Sequence, residues 1–155
     1  MSSEHDELVE VRLVRFPLRV YARATEHVNE LLREFALLAA STPADSHTVP
    51  ARLLELVEEL SRRYPRQTDH EAEREAALAR GDREADFSIK VPASAAEAGL
   101  ALDALLDEAE DYCRAGALLT LAAPPDVTAF RRWYLREVAA QIRGAAPTPW
   151  PGDLG

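Results

Sequence analysis

Apolar and polar residues along this chain follow two different periods, and the switches between them predict its elements. From Leu8 to Phe16, Val9, Val11 and Leu13 alternate with Glu10 and Arg12, the period of a strand. The phase breaks at Leu13-Val14, which marks either burial on both faces or a bulge. Pro17 ends the ladder. Leu18, Tyr21, Thr25, Val28, Leu32, Phe35 and Ala39 then recur at helical spacing, predicting a helix from Pro17 to Ala40. A competing reading extends the strand to Tyr21 and starts the helix at Thr25. Ser41 to Val49 has loop composition. Pro50 to Tyr64 reads as a helix buried through Leu53, Val57, Leu60 and Tyr64. Thr68 to Arg80 reads as a third, weakly apolar helix that Gly81 terminates, and the best candidate for a moving lid.

The plan then repeats. Asp86 to Val91 alternates as a second strand, with Phe87, Ile89 and Val91 on one face. Pro92 follows. Ser94 and Glu97 stand at capping-box spacing, at the start of a helix that runs to Arg114 with Ala95, Ala98, Leu102, Leu105, Ala109 and Cys113 inward. Ala117 to Ala122 reads as a third strand. Pro125 to Arg143 reads as a last helix with Phe130, Tyr134, Val138 and Ile142 on its core stripe. Three strand–proline–helix units therefore predict an α/β fold, with α+β as the alternative: a small three-stranded, parallel or mixed sheet covered by about five helices. The expected organisation is a disordered N-terminus over 1–7, one domain over 8–144, and a proline-rich extended tail over 145–155 that carries Trp150.

Composition narrows the chemistry. The 155 residues carry a formal net charge of −9, which disfavours nucleic acid and anionic membranes as partners. The single cysteine, Cys113, excludes an internal disulfide and any multi-cysteine metal site. The acidic first ten residues do not resemble a secretory signal, and no apolar run is long enough to span a membrane, so the expected location is cytoplasmic. The chain has no G-x-x-x-x-G-K or G-x-G-x-x-G stretch, so no phosphate loop and no cofactor is expected.

Few residues suggest a reaction. His27, Glu30 and Glu34 share one face of the first helix and are the candidate metal ligands, although the carboxylate-bridged metal bundles use the reverse E-x-x-H order, repeated on separate helices. A solvated polar face is the preferred reading, so no metal is expected. Asp69-His70-Glu71 and Glu73 point in different directions on a helix. Asp45-Ser46-His47 holds the residue types of a serine hydrolase, but adjacency is the wrong geometry for a triad. No catalytic residue is assigned. Asp103, Asp107, Glu110 and Asp111 form an acidic stripe, read as a solvated face or as a docking surface for a basic partner. Arg131, Arg132 and Arg136 with Trp133 make the last helix basic and aromatic, which is common interface material. A second basic set, Arg12, Arg15, Arg19 and Arg23, lies near the N-terminus.

The segments Leu31–Leu38, Tyr112–Leu121 and Phe130–Leu135, with the Pro149-Trp150-Pro151 tail, resemble an uncharacterised family of actinobacterial proteins encoded beside anti-sigma ATP-binding proteins and STAS-domain regulators. The resemblance implies a role in partner switching and supplies no catalytic residues. The strand–proline–helix opening is also similar to the start of GHKL-type anti-sigma kinases, but their asparagine-bearing ATP box and glycine-rich lid are missing, so ATP binding is not expected. The leading expectation is a non-enzymatic cytoplasmic regulatory protein that contacts a protein partner through Arg131, Arg132, Trp133, Arg136 and Trp150. Such a partner could be an anti-sigma or STAS-type regulator, or a second copy of the chain. The alternative is a small-molecule-binding sensor or enzyme with a pocket between the sheet and helix 68–80. A pocket onto which His27, Tyr21 or Arg15 converges would favour that alternative.

Overall fold

Pro17 ends the first strand, β1 (Leu8–Pro17), and α1 (Leu18–Ser41) follows it without a break, so the long-helix reading holds. Next come α2 (Val49–Arg63), α3 (Thr68–Ala79), β2 (Glu84–Pro92), α4 (Ala95–Arg114) and α5 (Pro125–Ile142). The computed structural model describes residues 7–41, 49–63, 68–115 and 120–154.

The fold is mixed α/β, but its sheet differs from the expected one. Among the described residues it has two strands, and they pair antiparallel with Val11 opposite Ile89 and Leu13 opposite Phe87. The parallel arrangement fails because α1, α2 and α3 leave from one end of β1 and return the chain to that same end, where Leu18 N–H donates to Arg83 O at 3.1 Å. Of the two explanations for the phase break after Leu13, the bulge is correct. The register shifts between Leu13 and Phe16, and Arg15 sits in the left-handed region at φ 58°. A non-glycine residue there costs about 1–2 kcal/mol. Its N–H donates to Asp86 Oδ1 at 2.9 Å, and its guanidinium donates to the carbonyls of Trp150 at 2.8 Å and Gly152 at 2.7 Å.

Among the described residues no third strand joins β1, and side-chain and tail groups occupy its outer edge. Gln141 of α5 places its amide against Arg12 as a neighbouring strand would: Arg12 N–H donates to Oε1 and Nε2 donates to Arg12 O, both at 2.8 Å. Further along, Trp150 N–H donates to Val14 O at 3.1 Å. Thr120, Leu121 and Ala122 are accordingly not in a strand, and Ala117, Leu118 and Leu119 lie outside the described residues. The backbone N–H groups there are taken by carboxylates instead: Thr120 donates to Glu34 Oε1 at 2.8 Å and Ala123 to Glu110 Oε2 at 2.8 Å. A ladder group already satisfied by a side chain gains nothing from strand pairing.

Two apolar clusters form the core. One lies on the sheet, where Phe16 meets Phe87 and Phe130 edge-on at 5.4 Å each, with Leu13, Val20, Ala77 and Trp150 around them. The other joins Leu31 and Phe35 of α1 to Leu53 of α2 and Leu105, Leu106 and Ala109 of α4. The helix ends are partly as expected. Pro125 opens α5, and Gly144 follows α5 at φ 100°, a conformation that glycine adopts without steric cost. Ser94 precedes α4, but with helical dihedrals and without a side-chain cap bond, so the expected capping box does not form. No described helix is long and apolar enough to cross a membrane.

Candidate functional site

The residues that alternate most regularly along α1 do not all enter the core. Leu18, Val20, Ala24, Leu31 and Phe35 are buried, whereas Tyr21, Thr25, Val28 and Leu32, four members of the expected stripe, are only half-buried. These four face a cavity of about 970 Å³ at the seam between the two core clusters. Ile89 and Val91 close it on the sheet side, Val57 and Leu60 on the α2 side, Leu102 and Leu106 on the α4 side, and Phe130 and Tyr134 on the α5 side. Tyr134 is enclosed by protein yet only half-buried, because the cavity borders it. Burial raises its phenol above the ordinary tyrosine value, and the neighbouring Tyr21 adds to the effect. It therefore stays a neutral hydroxyl donor at neutral pH.

The wall is mostly apolar, and two of its polar groups are bound to each other. His27 Nε2 lies 2.5 Å from Glu110 Oε1, and both side chains are largely out of solvent. Burial works against the charge on Glu110. The hydrogen bonds from His27 and from Ala123 N–H together outweigh it and hold the carboxyl below its ordinary value. Arg131 Nε donates to Asp103 Oδ1 at 3.1 Å, and its Nη2 donates to Asp107 Oδ1. Arg74 of α3 lies over the Tyr21 ring, 4.7 Å from its centroid.

The structure moves most of the sequence-derived site residues. The acidic stripe of α4 and the basic face of α5 face each other. Asp107 also accepts from Arg132 at 2.9 Å, and Asp103 lies 3.7 Å from Arg136 Nε. Asp103 and Glu110, read as solvated, are buried at 5% and 2% exposure. Arg132 and Arg136 remain exposed at the outer edge of this network. Trp133 is half-buried and its indole N–H donates to Thr148 O at 3.2 Å. Trp150, expected on an extended tail, is 3% exposed and packs on Phe130 and Trp133 with ring centroids 6.0 Å and 5.6 Å apart. The irregular tail lies against the domain because its backbone has partners there: Thr148 N–H donates to Glu137 Oε2 at 2.8 Å, in addition to the Val14 and Arg15 bonds.

The candidate metal ligands do not converge. His27 turns to Glu110, Glu34 accepts from Thr120, and Glu30 is exposed. No group of three metal-binding side chains occurs among the described residues. The N-terminal arginines do not meet as a patch: Arg15 holds the tail, while Arg23 pairs with Asp126. Asp45, Ser46 and His47 lie outside the described residues, as do the side chains of Asp69, His70 and Glu71. Sequence reasoning missed Glu110 and Gln141 as structural residues. Spacing held a signal for the first, since Asp103, Leu106, Glu110 and Cys113 step along one helical face. No family model matches the chain. No curated protein and no solved structure matches it either.

Proposed function

We propose that this protein is a small-molecule-binding sensor domain whose ligand occupies the cavity between α1, α2, α4, α5 and the sheet. The observation that carries this reading is the cavity itself: about 970 Å³, walled by aliphatic and aromatic side chains, with a small set of polar groups at fixed positions. That is the make-up of a ligand site, with apolar bulk for affinity and a few polar anchors for orientation. Tyr21 and His27 both border it. Binding is favoured over turnover because Glu110 is committed to His27 and Ala123, and Arg131 to Asp103 and Asp107. Groups fixed in this way orient a molecule rather than exchange protons with it.

The test is direct. A neutral environment-sensitive dye such as Nile red, titrated against the native protein, is expected to bind with saturation. Val28→Trp, which projects an indole into the cavity from α1, is expected to weaken that binding while the protein still melts cooperatively. Equal dye binding by the wild type and Val28→Trp would remove the cavity as the site.

A second reading is contact with a protein partner of the anti-sigma or STAS type, as the sequence resemblance implies. It is supported by the exposed Leu37 and Leu121, at 71% and 81% exposure, where Glu34 ties Thr120 to α1 one turn before Leu37. A pull-down from the host with Leu37→Glu plus Leu121→Glu should lose the partner if this reading holds, and unchanged capture excludes that surface.

A further inference from the structure

The cavity has a charge bias opposite to that of the chain. The protein carries 27 acidic and 18 basic residues. Among the described residues, Arg63, Arg74, Lys90 and Arg131 border the cavity against a single carboxylate, Glu110. Glu110 already faces His27, Arg131 is already neutralised by Asp103 and Asp107, and Arg63 pairs with Glu59 at 3.6 Å. Arg74 is different. Its guanidinium rests on the face of Tyr21, and it pairs with no carboxylate among the described residues. Tyr134 borders the same cavity, and its ring and that of Tyr21 both pack on Phe16, with centroids 6.3 Å and 5.1 Å away. The lining therefore offers the Arg74 guanidinium and the phenols of Tyr21 and Tyr134, and Val28, Leu32, Leu102 and Leu106 give it an apolar stretch.

A guanidinium resting over an aromatic face keeps its N–H edge available to an anion, and a charge-assisted hydrogen bond is stronger than one between neutral groups. We infer that the ligand is an anionic amphiphile, a carboxylate with an aliphatic or aromatic body, whose head is held by Arg74 with Tyr21 and Tyr134 and whose body lies along Val28, Leu32 and Leu106. This deepens the proposed binding role and rests on it. The location of Arg74 adds a consequence. Helix α3 places Ala77 in the core and packs Leu78 against it, and its other described side chains, over 72–79, are mostly exposed. A ligand that gathers Arg74 also draws α3 onto the cavity.

The experiment is calorimetric titration of the full chain at neutral pH with three probes of equal tail length: decanoate, decanol and decyltrimethylammonium, each below its aggregation concentration. Decanoate is expected to bind at least about tenfold more tightly than decanol, and the cationic probe more weakly than both. Arg74→Met is expected to remove about a tenfold share of decanoate affinity and to leave decanol unchanged, which also shows that the variant keeps its fold and cavity. Tyr134→Phe should weaken decanoate by a smaller factor. Equal affinity for decanoate and decanol, or a decanoate affinity indifferent to Arg74→Met, overturns the anionic head site while leaving the cavity a binding site. Failure of both decanoate and decanol to bind overturns the binding role itself.

Discussion

Trp150→Ala separates a core tail from a contact tail. The side chain is 3% exposed, touches Phe130 and Trp133, and donates its indole N–H to Asp153 O at 2.9 Å. Truncating a buried tryptophan costs about 3–5 kcal/mol through lost transfer energy and the space left behind. The lower end applies, because a segment without regular secondary structure relaxes more readily around a truncated side chain. Its backbone bonds to Val14 and Arg15 survive the substitution in principle, so the loss reports the ring. About 3 kcal/mol lowers the melting temperature of a chain of this size by roughly 6–12 °C. Urea unfolding followed by circular dichroism gives the free energy directly, and an unchanged slope shows that the same surface is exposed on unfolding. Trp150→Phe, which keeps most of the ring, should lose less than about 1.5 kcal/mol. A loss under about 1 kcal/mol for Trp150→Ala would mean that the tail is not part of the core, and the account of the covered β1 edge would fall with it.

Other consequences follow from the same structure. Asp103→Ala leaves Arg131 buried with part of its charge uncompensated and should cost about 3–5 kcal/mol in urea unfolding, whereas Asp111→Ala, which removes an exposed pair with Arg114, should cost less than about 1 kcal/mol. Glu110 has a depressed pKa in the folded protein, so its contribution is present above the ordinary carboxylate range and is lost as pH falls through the depressed value. Melting temperature measured from neutral to acid pH should therefore fall less steeply in Glu110→Gln than in the wild type, and parallel curves would contradict the assignment. Burial pushes the Cys113 thiol up to about 11, with Glu110 and Glu34 adding to the effect. Native protein should react slowly with a thiol reagent at mildly alkaline pH and rapidly in urea, and fast native labelling would show that α4 opens.

The sequence determined the helices because their signals are local. Pro17 and Pro125 sit at helix starts, Gly81 and Gly144 beyond helix ends, and the 3.6-residue recurrence between them is a property of each segment alone. The two strands and their inward faces were legible for the same reason, and so was the break in phase that became the Arg15 bulge. Strand number and direction were not legible, since they depend on which groups reach the edge of β1. Gln141 and the tail reach it, from residues 129 and more positions away in the chain. The acidic stripe of α4 and the arginines of α5 were each visible, but a charge pattern on one helix does not say what faces it. The packing of α4 on α5 joins the two in one network, with Arg131 and Asp103 inside it and Arg132 and Arg136 at its exposed edge. The cavity is the clearest case. Tyr21, Thr25, Val28 and Leu32 have the spacing of core residues, and only the separation of the two clusters leaves them lining a space. Periodicity reports which residues turn away from water, and tertiary packing decides whether protein fills the volume they turn toward.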